Sequence, residues 1–97
     1  MKPKAYIAGK ITDNENYKEE FEKVKEKMGK RFTVLNPAEL PEGMSKADYM
    51  RICFSMIDVA DAVVFIEGWV RSEGALLEHK YCEYIGKPIF YIWNESE

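Results

Sequence analysis

Residues 62–80 read AVVFIEGWVRSEGALLEHK and contain, in order, an apolar strand, a glycine-containing loop and the beginning of a helix. The run at 62–66 is apolar at every position, which is typical of a central parallel strand that is covered on both faces. The helix is expected to reach Tyr84 or Ile85, because Gly86 suits the position just past a helix end. Residues 62–85 therefore predict a buried strand that is followed by a helix.

The same alternation continues toward the N-terminus. Residues 4–8, KAYIA, predict a first strand that stops at Gly9, and residues 32–36, FTVLN, predict a second strand. Between them, residues 15–29 predict an amphipathic helix that ends near Gly29. The apolar side chains of this helix are Tyr17, Phe21, Val24 and Met28, and its expected N-terminal cap is Asn14 or Asp13.

Two more elements follow the loop at 37–44. Ser45 with Asp48 three residues later resembles a capping pair, and it predicts a helix that runs to about Val59. Residues 88–93, PIFYIW, predict the last strand, since proline is tolerated at the first residue of a strand. The order β-α-β-α-β-α-β predicts an α/β fold in three layers, with a four-stranded parallel sheet. We expect the flavodoxin-like or Rossmann-like order 2-1-3-4 and a single domain over residues 1–97.

Composition excludes several classes of protein. The chain has 97 residues, 46% of them hydrophobic, which is enough for a modest core and too apolar for a disordered segment. The net charge of −3 is spread along the chain without a basic tract, so no nucleic-acid polymer is expected as a partner. No apolar run approaches the length of a membrane span. Cys53 and Cys82 are not at metal spacing, and they favour free thiols in a reducing cytoplasm. We expect neither a metal nor a cofactor.

The middle helix predicts self-association. Its second half is apolar almost all round, and a helix of this kind must be covered on more than one side. A small domain supplies one layer of helix on each face of its sheet, so we expect a homo-oligomer that forms through the helix around 49–59. Coverage by the loop at 37–44 is the alternative. The apolar residues in question are Ile52, Cys53, Phe54, Met56, Ile57 and Val59.

A ligand site is expected beyond the carboxyl ends of the strands. In an open α/β sheet, ligands bind where the strand order reverses, which here lies between the first and third strands. Residues 9–14, GKITDN, and 67–74, EGWVRSEG, follow those strands, and each leads into a helix. A helix N-terminus suits a phosphate group, and Lys10 and Arg71 add positive charge. The alternative is that Gly9 and Gly74 only make tight turns.

Glu78 lies in the second turn of the third predicted helix. A helical wheel places Glu78 at the border of the core, beneath the mouth of the expected crevice. The residues alone leave two interpretations open, a salt-bridged structural glutamate or a catalytic carboxylate. The wheel assigns Leu77, Tyr81, Tyr84 and Ile85 to the buried side, Gly74, Glu78 and Cys82 to its flank, and Leu76, His79, Lys80 and Glu83 to the outside.

Other candidates remain ambiguous from spacing alone. Tyr6 shares a face of the first strand with Ala8, and its hydroxyl could reach the crevice, although a plain core tyrosine explains the pattern equally well. Trp69 could stack on a base or cover the core. Asn36 and Pro37 could contact a ligand or merely turn the chain. Asp61 precedes the third strand at its amino end, where a cap or turn is expected.

Three segments together resemble the nucleoside 2-deoxyribosyltransferase-like superfamily. They are YIAGKI at 6–11, VADAVVFIEGW at 59–69 and SEGALLEHKYCEYIGKPI at 72–89. The chain is closest in style to small bacterial and phage members, and it also resembles the 2-deoxynucleoside 5-monophosphate N-hydrolases. The most specific part is a strand tyrosine three residues before a glycine, followed later by Ser-x-Gly-x-x-x-Glu at the start of a helix.

The resemblance implies a role for each matching residue. It makes Glu78 the nucleophile and Tyr6 the residue that orients it. It places Ser72 on a 5-phosphate, with Gly9, Lys10 and Ile11 near the sugar-phosphate end. The remaining substrate-binding candidates are Trp69, Gly74 and Asp48.

The chain also departs from the family pattern. Leu76 replaces a frequent glycine, Lys10 replaces a serine, and no acid lies near Cys53, where the family uses one for the leaving base. Asp48 is the nearest earlier acid. The resemblance implies an enzyme that cleaves or transfers at the N-glycosidic bond of a deoxynucleoside or its 5-monophosphate. The departures leave a non-catalytic nucleotide-binding module, such as a sensor or phage accessory protein, as the alternative.

Overall fold

The computed structural model of the chain describes residues 1–92, in which strands alternate with helices. All four strands are parallel and form one sheet in the order β2-β1-β3-β4, which confirms the predicted α/β fold. Trp93, predicted as the end of the last strand, lies outside the described residues. The elements are β1 (Lys4–Ala8), α1 (Tyr17–Met28), β2 (Thr33–Leu35), α2 (Lys46–Val59), β3 (Ala62–Ile66), α3 (Glu73–Ile85) and β4 (Ile89–Ile92).

The two central strands hold the core together. Every residue of β3 is buried, as the apolar run at 62–66 predicts, and β1 is buried from its second residue onward. Alternation along β1 places Tyr6 and Ala8 in the cluster on the α2 and α3 side. Ile7 packs with Phe21 on the α1 side. The carboxyl end of β1 is therefore fixed from both faces of the sheet.

A local signal sets the start of α2 as predicted. Ser45 Oγ accepts a hydrogen bond from the Asp48 amide at 3.1 Å, which caps α2. Helix α1, in contrast, begins later than predicted. Asp13 has a left-handed backbone with φ of 60°, so it belongs to the preceding turn and not to the helix cap. The Asn14 side chain stabilises that turn by accepting from the Asn16 amide at 3.1 Å, and Asn16 is the residue at the cap position.

The predicted buried face of α3 is wrong. Leu77 and Tyr84 are 54% and 91% exposed, whereas the wheel placed them in the core. The buried positions are Ala75, Glu78 and Cys82. The buried face of α3 is thus made of two small side chains and Glu78, and the larger apolar residues lie on its exposed faces. Glu78 consequently lies on the buried face of the helix and not at its border.

Part of the apolar surface of α2 is covered within the chain. The rings of Phe54 and Tyr81 stack at 4.4 Å with planes 10° apart, and Tyr81 Oη donates to Asp58 Oδ1 at 2.6 Å. Val59 remains exposed. Self-association through the helix around 49–59 stays a prediction. Within residues 1–92, no helix is long and apolar enough to cross a bilayer.

The close approach at Gly9 gives a stability prediction. A Cβ atom added at Gly9 would lie 2.6 Å from Cγ1 of Ile66 and 3.1 Å from Cζ of Phe21, and both of those side chains are buried. We expect Gly9→Ala to lower the free energy of unfolding by about 1–3 kcal/mol, because the crowded core must move. Denaturant unfolding measures this change.

Gly74→Ala is the matched control. A Cβ at Gly74 would lie 3.1 Å from Met50 Cε, the far end of a flexible side chain, and 3.9 Å from Ser72 Oγ, and alanine is the better helix former. Its expected effect is within about 0.5 kcal/mol of wild type. Equal losses in the two variants would contradict the packing argument.

Candidate active site

A cavity of about 470 Å³ opens at the carboxyl edge of the sheet, above the end of β1. The loop after β1 forms one part of its wall. The other parts come from segment 37–40, the first half of α2 and residues 71–78 at the start of α3. This is the region where the strand order reverses, and there the sequence predicts a crevice.

A buried hydrogen bond lies in the wall of this cavity. Tyr6 Oη donates to Glu78 Oε2 at 2.9 Å, across 72 residues of sequence. Tyr6 is 1% exposed and Glu78 is 4% exposed. Strand β1 directs Tyr6 toward the helices, and the second turn of α3 directs Glu78 back toward the strand. The pair therefore forms only when the sheet and α3 have docked.

Burial controls the protonation of this cluster. Burial raises the pKa of Glu78 to about 7, while hydrogen bonds from Tyr6 and the Cys53 thiol act in the opposite direction. Burial raises the pKa of Cys53 to about 11, and burial together with the Glu78 charge raises the pKa of Tyr6 well above its usual value. Tyr6 and Cys53 thus stay protonated, and Glu78 is the member of the cluster that titrates near neutrality.

The start of α3 contributes polar groups that can contact an anion, and the Glu73 carboxylate lies in the same wall. Ser72 Oγ caps the helix by accepting from the Ala75 amide at 3.1 Å. The unpaired amides of a first helical turn carry partial positive charge, which favours an anionic group. Lys10 and Arg71 line the same cavity. Two cationic side chains and a helix N-terminus can thus act on a bound anion.

Comparison with known proteins assigns the sequence of this chain to a family. Residues 3–91 match the family described as Domain of unknown function (DUF4406). The chain belongs to that family. No curated protein matches the sequence.

The DUF4406 chain is also similar to a solved structure, the "2-desoxiribosyltransferase from Leishmania mexicana". The TM-score is 0.74 at 22% sequence identity, over 98% of this chain and 67% of the other. The likeness confirms a nucleoside 2-deoxyribosyltransferase-like fold.

The fold brings most of the candidate residues of this DUF4406 member together. Asp48 and Trp69 do not line the cavity. Asp48 lies on the exposed face of α2, with Oδ1 3.8 Å from Nη1 of Arg51. Asn36 turns the chain by accepting from the Ala38 amide at 2.9 Å. The candidates that line the cavity are Tyr6, Gly9, Lys10, Ile11, Ser72, Gly74 and Glu78.

Trp69 and His79 form a separate aromatic cluster. Their rings stack at 4.5 Å with planes 15° apart, and both contact Phe65 of β3. The outward placement of His79 on the wheel is wrong, because its side chain is 15% exposed and its Nε2 lies 2.6 Å from Tyr91 Oη. The ring of His79 is buried by stacking on Trp69, a contact that a helical wheel does not include.

The resemblance pointed to Asp48 and to the position of Cys53 in α2, but sequence reasoning missed the other α2 residues that line the cavity. These are Lys46, Tyr49 and Met50, and Tyr17 at the start of α1 was missed as well. The signal was present, since positions 46, 49, 50 and 53 share one face of a helix. Within residues 1–92, no group of three or more His, Cys, Asp or Glu side chains could hold a metal ion.

The raised pKa of Glu78 has a measurable effect on stability. Its folded pKa of about 7 exceeds the ordinary 4.5, so the native state holds the proton more tightly than the unfolded chain. That stabilisation is complete below the unfolded pKa and is lost as pH rises through about 7. Glu78→Gln does not titrate, so its stability relative to wild type should increase by about 2–3 kcal/mol between pH 5 and pH 8.

Unfolding in denaturant at several pH values measures this trend. Glu26→Gln makes the same charge change at an exposed position of α1, and it should run parallel to wild type. A Glu78→Gln curve parallel to wild type would show that burial does not raise the pKa of Glu78.

Proposed function

We propose that the protein cleaves or transfers at the N-glycosidic bond of a deoxynucleoside or its 5-monophosphate, with Glu78 as the nucleophile. The single observation that carries this proposal is the buried hydrogen bond of 2.9 Å between Tyr6 and Glu78 in the wall of a ligand-sized cavity. The Leishmania mexicana structure, described as a deoxyribosyltransferase, supports the class of reaction through its fold.

The reaction proceeds in two displacements. A carboxylate oxygen of Glu78 attacks the anomeric carbon and forms an ester bond, while the bond from that carbon to the base nitrogen breaks. The electron pair leaves with the base, which takes a proton from water. Water or a second base then attacks the same carbon and releases Glu78. Two inversions retain the configuration of the sugar.

Tyr6 has a positioning role in this scheme. Its hydroxyl holds one carboxylate oxygen, Oε2, and so orients the carboxylate for the attack. Because burial keeps Tyr6 protonated, it remains a donor throughout the reaction. The poorly solvated carboxylate does not have to shed a full hydration shell before it reacts.

The opposite end of the substrate meets the start of α3. Ser72 Oγ uses a lone pair to accept from the Ala75 amide, so its hydroxyl proton is free to donate to a phosphate oxygen. Lys10 adds a positive charge at the cavity wall. These groups favour the 5-monophosphate over the free nucleoside.

A binding module without turnover is the second candidate. Cys53 lies beside Tyr6 and Glu78 in the wall, where the related enzymes use an acid for the leaving base, and burial keeps its thiol protonated with a pKa of about 11. A thiol of this kind is a poor acid at neutral pH. In that case the cavity would bind a nucleotide and leave its glycosidic bond intact.

Base release tests the first candidate. The protein is incubated with deoxynucleosides and their 5-monophosphates, with and without an acceptor base, and free or exchanged base is measured by chromatography. We expect Glu78→Gln to lower the rate by at least about 10³-fold, because the amide cannot form the ester. The wild-type rate should rise with pH through about 7, as Glu78 ionises.

A rate that Glu78→Gln leaves unchanged would remove Glu78 as nucleophile. No release from any substrate by folded protein, with a melting temperature that nucleotides still raise, would favour the binding module.

Lys10→Met tests the preference for a phosphorylated substrate. Loss of the positive charge should reduce kcat/KM for a 5-monophosphate by about 10-fold or more, and it should change kcat/KM for the free nucleoside by less than about 3-fold. Lys80→Met, at an exposed position of α3, is the control and should change neither value. Equal losses for both substrates would show that Lys10 does not contact the phosphate.

A further inference from the structure

The sheet order gives the cavity two different sides. Strands β2 and β3 flank β1, so the segments that follow them rise on opposite sides of the cavity. Residues 71–75 follow β3 and contain Arg71 and the first-turn amides of α3, which suit a phosphate, beside the carboxylate of Glu73. On the β2 side, Pro37 and Leu40 line the cavity with apolar side chains, and Lys46 at the start of α2 adds a cation. A phosphate therefore has amide donors and a cation at the start of α3, and the apolar side chains lie on the opposite side of the cavity.

Two tyrosines line the cavity on its β2 side. Tyr49 Oη donates to the Pro41 carbonyl at 2.6 Å, which ties the first turn of α2 to the segment after β2. Lys18 Nζ lies 2.7 Å from Glu42 Oε2, which brings the start of α1, with Tyr17, to the same segment. Both rings belong to the cavity wall.

The two rings are held in place by contacts outside the cavity. The Tyr49 hydroxyl is committed to Pro41 and lies 3.5 Å from the Met44 amide. The Tyr17 ring packs edge-on against buried Phe21, with centroids 6.5 Å apart and planes 82° apart. Aromatic faces that are fixed before binding lose little conformational entropy when a flat ligand stacks on them.

We propose that Tyr17 and Tyr49 form a stacking slot for the nucleobase, with the sugar over Glu78 and the phosphate at the start of α3. The inference rests on the proposed function in taking the ligand to be a nucleoside monophosphate. Trp69, which the sequence left open as a residue that could stack on a base or cover the core, packs with His79 outside the cavity wall.

We expect the slot to select bases by the shape of their rings more than by hydrogen bonds to their edges. The lining on this side is mainly aromatic and aliphatic and includes Lys46, and the Tyr49 hydroxyl is already committed to the backbone. Every base has a π-face, so stacking tolerates different bases. Purine and pyrimidine monophosphates should accordingly bind with dissociation constants within about 10-fold of each other, because an apolar pocket discriminates weakly.

Calorimetric binding tests the slot in the Glu78→Gln background, where turnover cannot deplete the ligand. The probes are the four common 2-deoxynucleoside 5-monophosphates and 2-deoxyribose 5-phosphate, which has no base. Tyr17→Leu and Tyr49→Leu should each weaken nucleotide binding by about 5-fold to 100-fold, in line with the loss of one stacking face. Binding of the sugar phosphate should change by less than about 2-fold.

Two variants separate stacking from folding effects. Tyr49→Phe keeps the ring and removes the bond to Pro41, so it should retain nucleotide affinity within about 3-fold. Tyr84→Leu removes a tyrosine that is 91% exposed and should have no effect.

The outcomes distinguish this inference from the catalytic proposal. Loss of affinity for nucleotides alone supports the slot, even if wild-type protein releases no base. Equal losses for the nucleotides and the sugar phosphate would overturn it and give the tyrosines a structural role. Unchanged affinities, or no nucleotide binding to the Glu78→Gln protein, would overturn it as well.

Discussion

The buried hydrogen bond between Tyr6 and Glu78 is the constraint on which the site depends. A carboxyl group that is 4% exposed loses most of its hydration, and within residues 1–92 no cation lies within ion-pair distance of it. The donors that replace water come from β1 and α2, and the carboxyl group itself comes from α3. Three elements must therefore be docked before Glu78 has its partners. The same desolvation brings its pKa to about 7 and keeps the group available for chemistry near neutral pH.

The sequence predicts the fold well because its signals are local. The five apolar residues at 62–66 require cover on both faces, and the alternation of strands with helices then leads to a parallel sheet. Ser45 caps its helix through the spacing that the sequence shows. The pairing of Tyr6 with Glu78 is different, since 72 residues separate them and spacing alone leaves Tyr6 as a core tyrosine. Only the resemblance to a family links the two in advance.

The errors in α3 have one physical origin. A helical wheel ranks faces by the hydrophobicity of their side chains, whereas packing on a sheet also depends on how closely the backbone can approach. Ala75 and Cys82 are small and buried, and Glu78 between them on the same face is buried along with them. Leu77 and Tyr84 then remain on the outside. The placement of His79 has a related cause. Its ring is buried because it stacks on Trp69 in addition to contacting Phe65 of the sheet.

In the proposed reaction, binding of a phosphate and ionisation of Glu78 would be coupled. A bound phosphate near the start of α3 would add negative charge close to Glu78, and like charges raise the pKa of a carboxyl group that burial has already raised. Lys10, Arg71 and the first-turn amides line the cavity and would oppose that effect by partly neutralising the phosphate. The nucleobase is itself neutral, so in the proposed slot it would add no further charge. The proposed placement of phosphate and base would thus allow a doubly charged ligand to lie beside a carboxylate that must itself stay ionised.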